Sequence, residues 1–234
     1  MVMKMELLKK TKVKEWLIFL VIFFLFLYID YFIVAMYYIN NSDLYNLSKY
    51  SKIFILFAKY FILIAIFIIR DHKYLKEKWI DFKNNFKKYT KISFKNWFAG
   101  FIIMFISNII INIFIPGIGE NESAVQTIIK QMPVIAFILT TILAPFVEEM
   151  VFRKYIKNCI NSKILYMIIS GLIFGFIHTS ISTNTLELLL IIPYGSLGFM
   201  FAKTVYETDN IYTSIMMHMF HNGILTLLAI FGGF

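Results

Sequence analysis

The chain has 234 residues, of which 59% are hydrophobic and 18% aromatic, and its mean hydropathy is +0.73. This apolar fraction is far above that of a soluble domain and excludes an ordinary water-soluble protein. The single cysteine, Cys159, excludes an intrachain disulfide and a multi-cysteine metal site.

The net charge of +9 lies mainly in two blocks, the N-terminal residues 1–15 and residues 70–95. Positive blocks beside membrane spans face the cytoplasm and attract anionic lipid, so we expect a cytoplasmic N-terminus and no nucleic-acid partner. The apolar run after the first block is too long for a signal peptide and has no small-residue cleavage site. We therefore interpret it as a retained first span.

Seven apolar segments follow in chain order, each near the length that a helix needs to cross about 30 Å of hydrocarbon. They are Trp16 to Ile39, Lys52 to Ile69, Trp97 to Ile115, Pro133 to Lys157, Ile164 to His178, Leu186 to Ala202 and Tyr212 to Phe231. The sequence therefore predicts an all-α, polytopic transmembrane helix bundle of about seven to eight spans in the cell membrane. No internal repeat is found, which weighs against a transporter built from duplicated halves.

Ionisable side chains are costly in hydrocarbon, so each one inside a span is a candidate functional residue. Most of them fall in three predicted spans: Glu148, Glu149 and Arg153 in the fourth, His178 in the fifth, and His218 and His221 in the seventh, which also carries the amide of Asn222. Asp30 lies alone in the first span, where we expect a lysine or tyrosine of the bundle to pair with it.

Helical spacing assigns separate positions to the residues of the fourth span. Glu149 and Arg153 are four residues apart and share a face, so the arginine can pair with this glutamate and keep it ionised. Glu148 points about 100° away and is left free. In the seventh span His218 and Asn222 share a face in the same way.

The next histidine in the seventh span, His221, projects in another direction. At 1.5 Å per residue, Glu148, His178 and His218 all lie near the midplane or in the cytoplasmic half of the membrane. One carboxylate, two imidazoles and one amide can therefore meet in a cavity that opens toward the cytoplasm.

This set of groups suits the hydrolysis of an amide bond. A carboxylate can take a proton from water, a histidine can share that work or bind a metal, and a histidine with an asparagine can stabilise an oxyanion. The alternative is a set of interhelical hydrogen bonds with a purely structural role. No serine or cysteine is placed beside the histidines, which favours water as the nucleophile, with Ser170 and Ser196 as the alternatives.

Three short segments also resemble the motifs of a known family. "EEMVFR" at 148–153, "FGFIH" at 174–178 and "HMFHN" at 218–222 look like its Glu-Glu-x-x-x-Arg, Phe-x-x-x-His and His-x-x-x-Asn motifs. The family is CPBP, the CAAX protease and bacteriocin-processing intramembrane proteins, also called Abi. The resemblance covers about residues 95 to 231.

The resemblance implies an intramembrane endopeptidase with three pairs of functional residues. Glu148 and His178 would activate the attacking water. His218 and Asn222 would stabilise the oxyanion, and Glu149 and Arg153 would support the site. On this interpretation residues 1–95 hold the N-terminal spans and the basic segment, and residues 96–234 form the catalytic helix bundle.

The family is usually described as a metalloprotease, but its motifs do not settle whether zinc is required. No HExxH helix is present, although Glu148, His178 and His218 could form a His2Glu zinc site. The implied substrates are prenylated CAAX proteins or hydrophobic leader, pheromone or bacteriocin peptides. The sequence does not indicate an oligomeric state. Two other functions stay open, a non-catalytic immunity factor or scaffold and a proton-coupled transporter.

Overall fold

The computed structural model describes residues 2–40, 49–114, 119–179 and 185–232, and within these ranges it contains helices and no strand. The helices are α1 Val2–Asn40, α2 Lys49–Asn84, α3 Phe86–Phe114, α4 Glu120–Gln131, α5 Pro133–Cys159, α6 Lys163–Thr179, α7 Ile191–Thr208 and α8 Ile211–Gly232. A 3₁₀ turn, Thr185–Leu190, precedes α7. The predicted all-α fold class is confirmed.

Within the described ranges, six helical segments are long and apolar enough to cross a membrane. They are Lys12–Met36, Ile53–Asn84, Phe86–Phe114, Pro133–Cys159, Leu186–Thr208 and Ile211–Gly232. The predicted span from Ile164 to His178 corresponds to α6, which has 17 residues and is therefore about 25 Å long, shorter than the hydrocarbon core. The chain is a multi-pass membrane protein, and the cytoplasmic position of its N-terminus stays a prediction.

Two compact units divide the chain, Met1–Lys76 and Glu77–Phe234. In the first unit Lys59 Nζ lies 2.7 Å from Asp30 Oδ2, which confirms the expected lysine partner of this intramembrane aspartate. All the candidate site residues belong to the second unit. The functional division predicted at residue 95 stays a prediction.

In the second unit, glycines allow α6 and α7 to pack with their backbones in direct contact. A Cβ atom on Gly171 would lie 2.8 Å from the Gly195 carbonyl oxygen, and one on Gly175 would lie 2.7 Å from the Ile191 carbonyl oxygen. No side chain fits at such distances, so the small-residue spacing of α6 is used for close helix packing. Because His178 follows Gly175 by one turn, this contact sets its distance from α7.

Polar side chains hold the start of α8 in place. The Asn210 amide donates to the Lys78 carbonyl oxygen (2.7 Å) and to Asp81 Oδ2 (2.8 Å), while its Oδ1 accepts from the Tyr212 backbone N–H (3.0 Å). Beside it, Asp209 pairs with Lys78 and Lys157. Burial alone would raise the pKa of Asp209, but these two lysines outweigh it and lower the pKa. The end of α2 is thereby fixed to the helix that carries His218.

We predict that Gly175→Ala separates α6 from α7 and lowers the melting temperature by at least about 3 °C, because a methyl group in a filled contact costs about 1–3 kcal/mol. Gly232→Ala is the matched control, since nothing lies within 4 Å of a Cβ atom at that position. Thermal unfolding of both variants in the same detergent tests this. Equal melting temperatures for the two variants would show that the close approach is not required.

Candidate active site

The fourth predicted span, α5, is not a regular α-helix. Two π-helical turns, Ile138–Leu143 and Met150–Tyr155, flank a short α-helical segment, Ala144–Glu149. Such turns are rare in helices and occur frequently at functional sites. Glu148 and Glu149 end the segment between them, so the two carboxylates lie at the most irregular part of the span.

A buried ion pair lies at the base of the site. Glu149 Oε2 is 3.1 Å from Arg153 Nε, and neither side chain is exposed, as the four-residue spacing predicts. The guanidinium Nη1 donates to Ser170 Oγ at 3.0 Å, and its carbon lies 4.7 Å from the centre of the Phe174 ring. Arg153 thus joins α5 to α6 and holds the Glu149 carboxylate in place.

The other oxygen of this carboxylate orients His218. His218 Nδ1 lies 3.0 Å from Glu149 Oε1, and because a carboxylate only accepts, Nδ1 carries the proton. The ring is stacked on Phe201 at 5.1 Å and meets the edge of Phe174 at 5.7 Å. Its Nε2 faces Glu148 and lies 3.8 Å from Oε2. A neutral His218 therefore presents a lone pair to Glu148, and only a protonated one presents an N–H.

His178 is oriented by its own helix. Its Nδ1 lies 2.8 Å from the Phe174 carbonyl oxygen, so this nitrogen also carries the proton and Nε2 is free to accept. The ring lies between Phe174 at 4.4 Å and Tyr194 of α7 at 4.8 Å. Its Nε2 is 4.0 Å from Glu148 Oε2. Both histidines thus turn the same nitrogen toward the same carboxylate oxygen.

Glu148 differs from Glu149 in accessibility. Its side chain is 14% exposed, whereas that of Glu149 is 0% exposed. The distances of 4.0 and 3.8 Å from Oε2 to the two imidazoles are too long for direct hydrogen bonds and suit one intervening water molecule. Glu148 is therefore the carboxylate that can act on a water or a substrate.

Asn222 lies one turn beyond His218 on α8, and its side chain contacts α5 at another point. Its Nδ2 donates to the Thr140 carbonyl oxygen at 2.9 Å. The structure therefore brings Glu148, His178 and His218 together and places Asn222 beside them along α8, bonded to the first π-helical turn. Pro145 indicates that one carbonyl in the preceding turn lacks a helical partner, but the sequence does not show that it is the carbonyl of Thr140 or that Asn222 binds it, because both depend on the π-helical register.

The remaining histidine of α8 lies in a different environment. His221 is buried, and its Nδ1 accepts from the indole N–H of Trp97 at 3.3 Å. Its position away from Glu148 agrees with the direction predicted for it. Two other residues escaped the sequence analysis, Tyr194 and Phe201, because only the packing of α7 brings their rings onto the histidines.

Glu148, His178 and His218 have the donor atoms of a His2Glu zinc site. Two ligands of one tetrahedral zinc are about 3.3 Å apart, whereas the carboxylate oxygen is 4.0 and 3.8 Å from the imidazole nitrogens. Within the described part of the chain, no three His, Cys, Asp or Glu side chains are arranged to hold a metal ion. The three residues have the donor atoms of a zinc site, but their present spacing does not fit one.

Comparison with known proteins places this site in a defined group. Residues 130–224 match the family model described as type II CAAX prenyl endopeptidase Rce1-like, a range that contains every residue of the site. No solved structure matches the chain significantly.

Curated relatives extend the similarity. The chain is 31% identical over 141 residues to a Bacillus subtilis protein named "Putative membrane peptidase YdiL", an alignment that covers 56% of this chain and 54% of the relative. It is 30% identical over 208 residues to an uncharacterized protein of Mycoplasma capricolum, covering 82% and 58% of the two chains. A Lactococcus lactis protein, UPF0177 protein YbdI, is 27% identical over 149 residues, covering 59% and 78%.

The chain spans about half the length of the first two of these relatives, 54% and 58%. The matched segment nevertheless contains the three motifs, the buried ion pair and both oriented histidines. The resemblance seen in the motifs is therefore confirmed for residues 130–224, which match the model of the Rce1-like type II CAAX prenyl endopeptidases.

Proposed function

We propose that this protein is an intramembrane endopeptidase in which Glu148 activates a water molecule for attack on a peptide carbonyl. One observation carries the proposal. Oε2 of the partly exposed Glu148 lies within 4.0 Å of Nε2 of both His178 and His218, and each histidine is fixed through its other nitrogen. Family membership and the relative named as a membrane peptidase support the same reaction class.

The proposed reaction starts with a water between Glu148 and the two imidazoles. His178 accepts a hydrogen bond from the water at Nε2 and orients it, while Glu148 takes a proton as the oxygen attacks the carbonyl carbon. The new C–O bond converts the carbonyl oxygen into an oxyanion. When the C–N bond breaks, Glu148 passes the proton to the leaving amine, so no covalent intermediate with the protein forms.

Oxyanion stabilisation is assigned to His218 and Asn222. His218 can donate from Nε2 only as an imidazolium, since Nδ1 already donates to Glu149. Glu149 Oε1, 3.0 Å from His218 Nδ1, occupies the place that a carboxylate takes beside the catalytic histidine of other hydrolases. If His218 is neutral instead, its Nε2 lone pair suits a metal ligand. The protonation state of His218 thus separates a metal-free reaction from a zinc-dependent one.

Water as the nucleophile is supported by the environment of the two candidate serines. Ser170 Oγ donates to the Phe152 carbonyl oxygen and accepts from Arg153. Ser196 Oγ lies 2.8 Å from the Pro193 carbonyl oxygen and 3.2 Å from that of Gly100. Both hydroxyls are engaged by groups that do not include Glu148, His178 or His218.

The proposed substrates are prenylated CAAX-type proteins or hydrophobic leader, pheromone or bacteriocin peptides, cut near the cytoplasmic face. The family description supports the first of these classes. A catalytic group inside a span also requires a substrate whose scissile bond can enter the membrane, which favours a lipidated or strongly apolar peptide.

We predict that Glu148→Gln abolishes cleavage while the melting temperature stays within about 2 °C of wild type, because glutamine keeps the shape but cannot accept the water proton. The measurement is mass spectrometry of a prenylated CAAX peptide and a hydrophobic leader peptide after incubation with purified protein. Turnover by the variant at the wild-type rate would contradict the proposal and favour a non-catalytic immunity factor or scaffold.

His218→Ala and His221→Ala form a matched pair on one helix. We expect the first to lower kcat by at least about a hundredfold, the typical cost of one oxyanion donor. The second removes the hydrogen-bond acceptor of the Trp97 indole N–H and no contact with Glu148, so kcat should stay within about threefold of wild type. Equal losses in the two variants would show that the histidine facing Glu148 has been wrongly assigned.

Metal dependence is tested on the purified protein by elemental analysis together with chelator treatment. A zinc-dependent enzyme would carry about one zinc per chain, lose it in His178→Ala, and regain activity when zinc is returned after chelation. A metal-free reaction predicts substoichiometric zinc and unchanged turnover in chelator. The first result would require a neutral His218, whose Nε2 lone pair binds the metal. The second would require the imidazolium form, whose Nε2–H donates to the oxyanion.

A further inference from the structure

The first π-helical turn of α5 and Pro145 together create an acceptor for Asn222. The Ala144 N–H donates to the Leu139 carbonyl oxygen, five residues back. In the same register the next N–H, that of residue 145, would donate to the Thr140 carbonyl oxygen. Residue 145 is a proline and has no N–H. That carbonyl instead accepts from Asn222 Nδ2 at 2.9 Å.

A second contact holds the same two helices at the next turn. Thr140 Oγ1 lies 3.0 Å from Thr226 Oγ1 and donates to the Ala136 carbonyl oxygen at 2.9 Å. Between Asn222 and Thr226, Gly223 allows close approach, because a Cβ atom there would lie 3.2 Å from a methyl group of Thr141. The position of the Asn222 amide relative to α5 is therefore supported by contacts at the next residue and at the next helical turn.

This hydrogen bond also fixes the orientation of the Asn222 side-chain amide. A carbonyl oxygen can only accept, so it must face the NH2 group of Asn222, and the amide cannot turn over without losing the bond. One N–H is used in this way and the other stays available to a substrate oxyanion. A donor held in advance needs no reorganisation in the transition state, which is the condition for strong oxyanion stabilisation.

We propose that Pro145 and the Thr140 carbonyl are positioning elements for Asn222: the N–H that proline lacks leaves this carbonyl to the side-chain amide. The inference rests on the proposed oxyanion role of Asn222. It assigns a role to a proline that would otherwise serve only to distort the helix. In Pro145→Ala the new backbone N–H competes with Asn222 for the Thr140 carbonyl oxygen, or the π-helical turn relaxes toward α-helix. In both cases the hydrogen bond of the Asn222 amide is lost.

The test compares full-length wild type, Pro145→Ala, Asn222→Ala and the double variant, with Pro133→Ala as the control. Pro133 is at the first position of its helix, where an added N–H has no helical acceptor to take. Two quantities are measured for each protein in detergent, the melting temperature and, with a prenylated CAAX peptide, kcat and KM separately.

We expect Asn222→Ala to lower the melting temperature by about 2–4 °C in the wild-type background, because it removes the hydrogen bond to the Thr140 carbonyl. In the Pro145→Ala background the loss should be less than half as large, because that hydrogen bond is already broken. Pro145→Ala should lower kcat at least about tenfold with KM within about twofold, since a displaced catalytic group loses rate. Pro133→Ala should change neither quantity.

If the melting-temperature loss of the double variant equals the sum of the losses of Pro145→Ala and Asn222→Ala, the proposal is overturned whatever the activities are. Pro145 and the Asn222 amide would then contribute independently. Coupled melting temperatures with an unchanged kcat in Pro145→Ala would retain the hydrogen bond and overturn its role in catalysis. If the wild type cleaves no peptide, the proposed function fails and the positioning role fails with it, while the melting temperatures still report on the bond.

Discussion

The site depends on the buried carboxylate of Glu149. One oxygen pairs with Arg153 and the other accepts from His218, and all of this lies away from water. Removing one partner of a buried charge pair typically costs about 3–5 kcal/mol, because the remaining charge is left uncompensated. Replacing such a pair by apolar residues of the same volume is often neutral or stabilising in proteins. The arrangement is therefore better explained by the orientation it gives to His218 than by stability.

Backbone features bring the remaining groups to this point. Glu148 and Glu149 end a single α-helical segment between two π-helical turns, so one carboxylate enters the buried pair and the other faces the accessible side. His178 lies in the last turn of α6, next to the glycines that allow α7 to approach. Tyr194 reaches the His178 ring from α7 as a consequence of that approach. Irregular helix geometry thus places Glu148 and Glu149, and close helix packing places His178 and Tyr194.

The sequence predicted those features that follow from helical periodicity alone. Four-residue spacing identified the pairing of Glu149 with Arg153 and separated His218 from His221, and hydropathy identified the helices. The predicted span from Ile164 to His178 lies within Lys163–Thr179, because mostly polar residues follow the helix in the sequence. Periodicity could not reveal the Asn222 bond to Thr140, since which carbonyl Pro145 leaves without a helical partner depends on a π-helical turn that has no simple sequence signal. The contacts of Phe201 and Tyr194 with the histidines depend on how α7 packs, which no single segment encodes.

In the proposed reaction, water activated at Glu148 attacks the peptide carbonyl without a protein-bound intermediate. The most direct measurement is mass spectrometry of both product and protein during cleavage of a prenylated CAAX peptide in ¹⁸O-labelled water. Direct attack by water predicts one ¹⁸O atom in the new carboxyl group at the first turnover and no peptide attached to the protein at any time. A protein species heavier by the mass of the acyl fragment would contradict it, and would return Ser170 and Ser196 to consideration as nucleophiles.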